Sequence, residues 1–320
     1  MKTFANEVFL DFSKPAIAKK QRAAIADISK TLGKEYPNLI SGKKVRTDAK
    51  TTSVSPANPD VVVGVFQKSG AADADKAVKA AAKTFESWKN TTPKERAAYL
   101  FKAANIIRRR RLEINAWMIT EVGKNYLEAD ADTCEAIDFL EFYGREALRY
   151  AEKQPITPVA GEANEIFYIP LGVGVVIPPW NFPFAILVGM TSAAVVTGNT
   201  VVLKPSSESP MMGWLFMEIL KEAGLRPPPF LTGSLHVNQL ANTPQPGQIW
   251  IKRVVAEMGG KDAIIVDSEA DVDTAVAGVV AAAFGFQGQK CSACSRAIVD
   301  EAVYDEFVAK LKVAVDALQD

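Results

Sequence analysis

The stretch Val173-Gly174-Val175-Val176-Ile177 is a run of small and β-branched apolar residues that ends at a pair of prolines. Because it is apolar on both alternating faces, it is typical of a strand that helices cover on each side. A similar run, Thr200-Val201-Val202-Leu203, follows a buried helix predicted for residues 184–196. Ser209-Pro210 then opens a helix that ends near Gly224. This order of elements predicts the α/β class, with a Rossmann-like parallel sheet.

Each of these two predicted strands is followed by a segment that combines proline with polar side chains. The segments are Pro178-Pro179-Trp180-Asn181 and Lys204-Pro205-Ser206-Ser207. Sheets of this class bind ligands at the carboxyl ends of their parallel strands, so both segments lie where a ligand is expected. Asn181 has two interpretations that the local sequence weighs equally. It donates to a developing oxyanion, or it caps the helix that follows.

A loop of small residues, from Gly285 to Cys294, presents two thiols. Most cysteines in such a chain are small buried thiols, but the glycines here allow close approach of the backbone, and Lys290 places a cation beside one thiol. Cys291 follows the glycine-rich turn directly, so we predict Cys291 as a nucleophile. The spacing of the two thiols lacks a second thiol pair or a histidine partner, and we predict no metal site.

A second motif, Glu257-Met258-Gly259-Gly260-Lys261, precedes this loop and lies between strands predicted at 249–256 and 263–266. The two glycines remove steric cover from the carboxylate, which could then activate a water to hydrolyse a thioester. The alternative is that Glu257 is a carboxylate at a strand end, held in a salt bridge. Further along, we predict a helix at 271–284, a strand at 296–299 and a helix at 302–318.

The composition argues against several classes of protein. Lysine plus arginine and aspartate plus glutamate both number 37, so we predict neither nucleic acid nor a membrane surface as a partner. The one histidine, His236, receives no catalytic role. The N-terminus lacks the apolar core of a signal peptide, and the longest apolar stretch, 182–198, falls short of the roughly 20 residues of a membrane span. These features predict a soluble cytoplasmic protein.

The first half of the chain shows helical periodicity. Thr92-Pro93-Lys94-Glu95 combines a capping box with a proline in the first helical position. We expect the run of arginines at 108–111, inside that helix, to be a solvated face. We predict further helices at 15–32, 72–89 and 128–150, a strand at 61–66, turns at 47–59 and a hairpin arm at 154–165.

Four motifs resemble the aldehyde dehydrogenase superfamily, in the order that the family has them: residues 178–183, 198–206, 257–261 and 286–291. Within that family, residues 9–13, 121–124, 135–139 and 291–296 most resemble the Δ1-pyrroline-5-carboxylate dehydrogenases. Those enzymes oxidise L-glutamate γ-semialdehyde to L-glutamate in proline degradation. The resemblance implies NAD as the cofactor, with NADP possible, a small-molecule aldehyde as substrate, and a homo-oligomer. It also implies reaction through a cysteine thiohemiacetal and a thioester.

The resemblance carries roles to individual residues. It implies Cys291 as the nucleophile, Asn181 as the oxyanion donor and Glu257 as the base of deacylation. It implies that residues 1–153 and 170–258 form a dinucleotide-binding domain, that 154–169 is an oligomerisation arm, and that 259–320 begin a catalytic domain. The implied cofactor-binding residues are Ile177, Pro178, Pro179, Trp180, Lys204, Ser207, Gly233 and Ser234.

The chain departs from the family pattern at two places. Between residues 225 and 248 the family has a longer segment, and the family continues beyond Asp320. We therefore expect an internally shortened and C-terminally incomplete chain with weak NAD affinity, low turnover and a tendency to self-associate. The alternatives are another aldehyde substrate, a catalytically incompetent fragment, or a relative that transfers the acyl group to coenzyme A. The presence of Glu257 argues against the last.

Overall fold

A computed structural model describes residues 3–225, 246–248 and 252–318. The chain divides into two compact units, Met1–Leu235 and His236–Asp320. Within the described residues, the first unit is built from long helices packed on short strands, and the second from two parallel strands with two α-helices. No helix in the described ranges combines the length and the apolar character that crossing a membrane requires.

Five short strands open the first unit after helix α1 (Pro15–Ser29). They are β1 (Glu35–Tyr36), β2 (Asn38–Ile40), β3 (Lys43–Val45), β4 (Lys50–Ser55) and β5 (Asn58–Gln67). Strand β5 lies between β1 and β4, parallel to the first and antiparallel to the second, whereas β2 pairs with β3.

The strand predicted at 61–66 is confirmed as part of β5, but the prediction of turns at 47–59 is wrong because β4 lies there. In β4 the buried positions are Ser53 and Ser55, while Val54 is exposed. The usual alternation of apolar inside and polar outside is therefore reversed, which hides the strand from a reading of hydrophobic periodicity.

The predicted helices of the first half are confirmed as α2 (Ala71–Trp88), α3 (Pro93–Val122) and α4 (Tyr126–Ala151). The capping box at the start of α3 is present: Thr92 Oγ1 accepts from the Glu95 amide at 3.2 Å, and Glu95 accepts from the Thr92 amide at 3.0 Å. A few residues on, Arg96 Nε donates to Val196 O at 2.7 Å, which ties the start of α3 to a distant helix end.

The arginines at 108–111 were expected to be solvated, and this is wrong for two of them. Arg111 donates to Asp130 and to Cys134 Sγ, and only 11% of its side chain is exposed. Arg110 is 19% exposed and pairs with Glu113. The cause is the length of the arginine side chain, which lets the guanidinium group pair with carboxylates on its own helix and on a neighbouring helix.

The predicted strand, helix, strand, helix order is confirmed as β6 (Val173–Val176), α5 (Ala185–Val196), β7 (Thr200–Leu203) and α6 (Pro210–Glu222). Strands β6 and β7 are parallel and pair without a register shift, and all four residues of β7 are buried. Helices α5 and α6 join the central core of the unit, where the Phe184 and Phe216 rings meet edge to face at 6.2 Å.

The prediction of a hairpin arm at 154–165 is wrong, because this segment forms no strands. The chain does turn there, since the Glu162 amide donates to Val159 O at 3.1 Å, but residues 152–172 contain no strand. Pro155 and Pro158 lack the backbone donors that a ladder requires. The arm continues into a run of exposed apolar side chains: Ile166, Phe167, Tyr168, Ile169 and Leu171.

The second unit contains β8 (Asp262–Val266), α7 (Val272–Phe284), β9 (Cys294–Val299) and α8 (Tyr304–Asp316), each close to its predicted position. The helices bury Val266 and Phe307 with three valines of α7. On the strands, Ile265 and Ile298 are register partners, 76% and 55% exposed.

One strand predicted for the second unit, at 249–256, is wrong over residues 252–256, which are irregular. Residues 249–251 lie outside the described part of the chain.

Candidate active site

The predicted cofactor residues that are described leave the sheet side by side at the ends of β6 and β7. The Lys204 amide donates to Val176 O at 2.9 Å, which carries the parallel pairing one residue beyond β7. Ile177 and Pro179 are half-buried, and Trp180 is 37% exposed. These segments therefore offer an apolar wall beside an ammonium group and a hydroxyl, a donor set that fits a dinucleotide.

Two of the predicted cofactor residues, Gly233 and Ser234, lie outside the described residues, as does His236. Among the residues that are described, burial lowers the pKa of Lys204. Burial disfavours the charged form of a lysine, so a nearby anionic ligand would offset part of that cost.

The interpretation of Asn181 as a helix cap is wrong. Helix α5 begins at Ala185, with Phe184 in the N-cap position, so Asn181 lies outside the first turn. The cap comes from another helix, because Asp132 Oδ1 on α4 accepts from the Ala185 amide at 2.5 Å. The role of Asn181 as an oxyanion donor stays a prediction.

The cysteine loop begins with a left-handed turn of the backbone. Phe286, Gln287 and Gly288 have φ angles of 49°, 51° and 70°, and the Gln289 amide closes the turn on Phe286 O at 3.0 Å. Left-handed residues other than glycine cost on the order of 1 kcal/mol each and concentrate at functional sites. Phe286 is 5% exposed, so its packing helps to hold this conformation.

The three cysteines have different surroundings. Cys291 lies half-buried on the loop. Cys294 starts β9, packs against the apolar core of the second unit and donates to Arg296 O at 3.3 Å. Cys134 is buried on α4, and burial raises the pKa of its thiol to about 12. Cys134 is thus a packed structural thiol.

The glutamate motif and the cysteine loop meet through the backbone. The Gly260 amide donates to Cys291 O at 3.0 Å. A Cβ atom at position 260 would lie 2.8 Å from Asp262 Oδ2 and 3.0 Å from Cys291 O, so only glycine fits without a shift. Glu257 is exposed on an irregular segment, so its interpretation as a strand-end carboxylate is wrong.

Two buried carboxylates that the sequence did not single out, Glu121 and Asp132, contact the backbone just beyond the loops that follow β6 and β7. Glu121 was visible only as part of the 121–124 segment of the resemblance, with no role attached. Among described residues, no group of three or more histidine, cysteine, aspartate or glutamate side chains is placed to hold a metal ion.

Comparison with known proteins supports the fold and the motifs. The Aldehyde dehydrogenase family matches residues 44–229 and 230–319. The 1-pyrroline-5-carboxylate dehydrogenase of Geobacillus thermodenitrificans (strain NG80-2) is 48% identical over 337 aligned positions, covering 96% of this chain and 65% of the relative. Because that alignment is longer than the 320 residues of the chain, the relative has residues within the matched region that have no counterpart here.

Solved structures agree. The 1-pyrroline-5-carboxylate dehydrogenase from Thermus with bound NAD has a TM-score of 0.95 at 40% identity, covering 99% of this chain and 67% of that one. Proline utilization A from Bdellovibrio bacteriovorus has a TM-score of 0.96 at 38% identity, covering 99% and 36%. The chain spans about 65% of the length of the curated relatives that it matches. By the extent of these matches, the chain belongs to the aldehyde dehydrogenase family.

Proposed function

We propose that this chain carries the NAD-binding and thiol chemistry of an enzyme that oxidises L-glutamate γ-semialdehyde to L-glutamate in proline degradation, in the cytoplasm. The observation that carries the proposal is the hydrogen bond from the Gly260 amide to Cys291 O, which joins the two motifs that the chemistry needs. The similarity to 1-pyrroline-5-carboxylate dehydrogenases over 96% of the chain supports the choice of substrate.

In this proposal, the Cys291 thiolate attacks the aldehyde carbon. A carbon–sulfur bond forms, and the carbonyl electron pair moves to oxygen, where the Asn181 amide group donates a hydrogen bond. NAD, held by the loops that follow β6 and β7, would supply the acceptor for the hydride that this carbon loses, and loss of that hydride would leave a thioester. Glu257 then takes a proton from a water whose oxygen attacks the thioester carbon. The carbon–sulfur bond breaks, glutamate leaves, and Cys291 is again a thiolate.

The division of labour along the chain is also part of the proposal. Residues 1–153 and 170–258 bind the dinucleotide, residues 259–320 begin the catalytic domain, and residues 154–169 form an arm for homo-oligomerisation. The exposed apolar side chains from Ile166 to Ile169 support the arm, because such a run on a surface is typical of an interface.

The test is to trap the acyl-enzyme. Glu257→Gln should still form the thioester but hydrolyse it slowly, because only deacylation needs an activated water. Incubation with NAD and glutamate γ-semialdehyde should give a stoichiometric burst of NADH and a glutamyl adduct that peptide mapping places on Cys291. Propionaldehyde should react more slowly, and Cys291→Ser should give neither signal. An adduct on Cys294, or no adduct with any aldehyde, would contradict the proposal.

A second candidate is a chain that keeps the motifs but does not turn over. The exposed pair Ile265 and Ile298 favours it, since a site built beside an uncovered sheet face is less rigid. Calorimetric NAD titration together with steady-state kinetics separates the two candidates. NAD binding without a burst in the Glu257→Gln variant would favour the second.

A further inference from the structure

The turn between α3 and α4 brings two buried ionisable side chains into the core of the first unit. Gly123 ends α3 in the left-handed conformation, with φ 71°, and a Cβ there would lie 3.1 Å from Pro56 Cγ. On either side of this glycine, Glu121 and Lys124 are each 2% exposed. Buried polar and ionisable groups are costly unless they are paired or hydrogen-bonded, so their partners matter.

Lys124 and Asp132 form one such pair. Lys124 Nζ lies 2.9 Å from Asp132 Oδ2, and both side chains are fully buried. Asp132 Oδ1 accepts from the Ala185 amide at 2.5 Å, and Lys124 Nζ lies 4.4 Å from the centre of the Phe182 ring. The pair therefore holds the chain on both sides of Pro183, directly after Asn181.

Glu121 makes the matching contact on the other loop. Its Oε1 accepts from the Met211 amide at 2.9 Å and from Ser53 Oγ at 3.1 Å. Met211 is in the first turn of α6, which follows the loop that carries Lys204. The N-cap residues of α5 and α6, Phe184 and Ser209, supply no side-chain cap of their own. Both helix starts are thus satisfied by carboxylates from the same short stretch of chain.

We propose that residues 121–132 are a positioning device for the two ligand-bearing loops, with Asp132 and Lys124 holding the Asn181 loop and Glu121 holding the Lys204 loop. A helix N-terminus is normally capped by its own preceding residue, so its position follows the local chain. Here the two starts share one outside support, and the loops before them are fixed relative to each other. The proposal rests on the proposed function only for the identity of the ligand.

The sharpest test compares two double variants that differ in one acceptor. Lys124→Met/Asp132→Asn and Lys124→Met/Asp132→Leu both remove the ion pair and leave a neutral core of similar shape. Replacing a buried ion pair by neutral groups of similar volume is often tolerated. Asparagine keeps a carbonyl oxygen for the Ala185 amide, whereas leucine does not. The difference between the two variants therefore isolates the cap.

Hydrogen exchange of the Phe184 and Ala185 amides is the deciding measurement. We expect the leucine variant to exchange about tenfold faster at these amides than the asparagine variant, the scale of a lost helix cap. We also expect weaker NAD binding by a similar factor. Equal exchange in the two variants and the wild type would overturn the proposal. If the wild type binds no NAD, the proposed function fails, while the exchange result still decides the positioning role.

A control on the same helices distinguishes a positioning role from a general contribution to stability. Asp130 is buried and pairs with Arg111, but it accepts from the Leu10 amide at the N-terminal segment and not from a ligand loop. Asp130→Asn should lower the melting temperature yet leave exchange at Ala185 and Met211 within about twofold of the wild type. Faster exchange there to the same degree as in the leucine variant would overturn the proposal.

The other half of the device keeps the proposal testable if the leucine variant does not fold. Glu121→Gln retains the acceptor for the Met211 amide, and Glu121→Met removes it at similar size. We expect faster exchange at Met211 in the methionine variant alone, with the Ala185 amide unchanged. No difference between the two at Met211 would overturn the role of Glu121.

Discussion

The parallel pairs β6–β7 and β8–β9 have the same local architecture but carry their predicted functional residues at opposite ends. The loops of Asn181 and Lys204 follow their strands, whereas Glu257 and Cys291 precede theirs. In the first pair, buried side chains of other helices hold the loops. In the second, the Gly260 amide holds the cysteine loop directly. Substitutions should therefore act through side-chain chemistry in one region and through backbone space in the other.

The largest expected difference is in the alkylation rates of Cys291, on the loop before β9, and Cys134, on α4 of the first unit. At pH 7.5, limiting iodoacetamide should label Cys291 at least about a thousandfold faster than Cys134, because burial raises the pKa of the Cys134 thiol to about 12. Cys294, which packs on the core of its unit, should fall between them. Peptide mass spectrometry at increasing times gives the order. Labelling of Cys294 before Cys291 would contradict the assignment of the nucleophile.

The backbone contact of the second region can be broken alone. Gly260→Ala places a Cβ against Cys291 O and Asp262 Oδ2, so the loop must shift, and misplacement of this size can slow acylation about a hundredfold. Gly259→Ala is the matched control, since a Cβ there meets nothing within 4 Å. Single-turnover NADH formation measures both. Equal rates would show that the contact does not position the thiol.

The buried carboxyl group of Glu121, on α3, should make the stability of the first unit depend on pH. Burial raises the pKa of Glu121 to about 8 from 4.5. The fold favours the neutral form of Glu121, so the contribution of that form to stability is complete below pH 4.5 and is lost as the pH rises through about 8. Between pH 6 and 8 we expect the free energy of unfolding to fall by about 2 kcal/mol more in the wild type than in Glu121→Gln. Urea titrations across that range measure the free energy of unfolding of both proteins. The same pH dependence in the wild type and in Glu121→Gln would contradict the prediction.

The smallest effect concerns the exposed face of β8–β9. Ile265→Thr/Ile298→Thr removes an apolar pair but keeps β-branched residues, so we expect self-association to weaken about tenfold with little loss of stability. Val266→Thr, at a buried position of the same strand, should instead destabilise the unit. Sedimentation over a range of concentrations and thermal melts separate the two. Unchanged self-association of the double variant would show that this face is not the surface through which the chain associates.

The sequence predicted most helices, the parallel pair β6–β7 and the strands β8 and β9, because each has a clear apolar period or a cap. It failed where the pattern and the burial disagree: β4 buries serines, and residues 252–256 are apolar in part but form no strand. It also failed for Arg111, whose carboxylate partner lies on another helix. Pairing between distant segments leaves no local signal.

The candidate site was predictable as a set of motifs, but the supports of the motifs were not. Cys291, Glu257 and the loops after β6 and β7 lie in recognisable glycine or proline contexts. Asp132 reads as an ordinary helical acid, since nothing near it in sequence shows that it caps α5. Its partner in that contact, Ala185, lies 53 residues further along the chain, so only the tertiary structure reveals the contact.

Helix α3 makes the first unit sensitive to the length of its sequence. The helix has 30 residues, about 45 Å at 1.5 Å per residue. Arg96 near its start holds the end of α5, and Glu121 near its end holds the start of α6. Inserting one residue between them would turn Glu121 by about 100° away from its partner, whereas inserting seven restores its direction to within about 20°. A change in the number of residues in this helix should therefore be tolerated less well than single substitutions at its exposed positions, because it moves one anchor relative to the other.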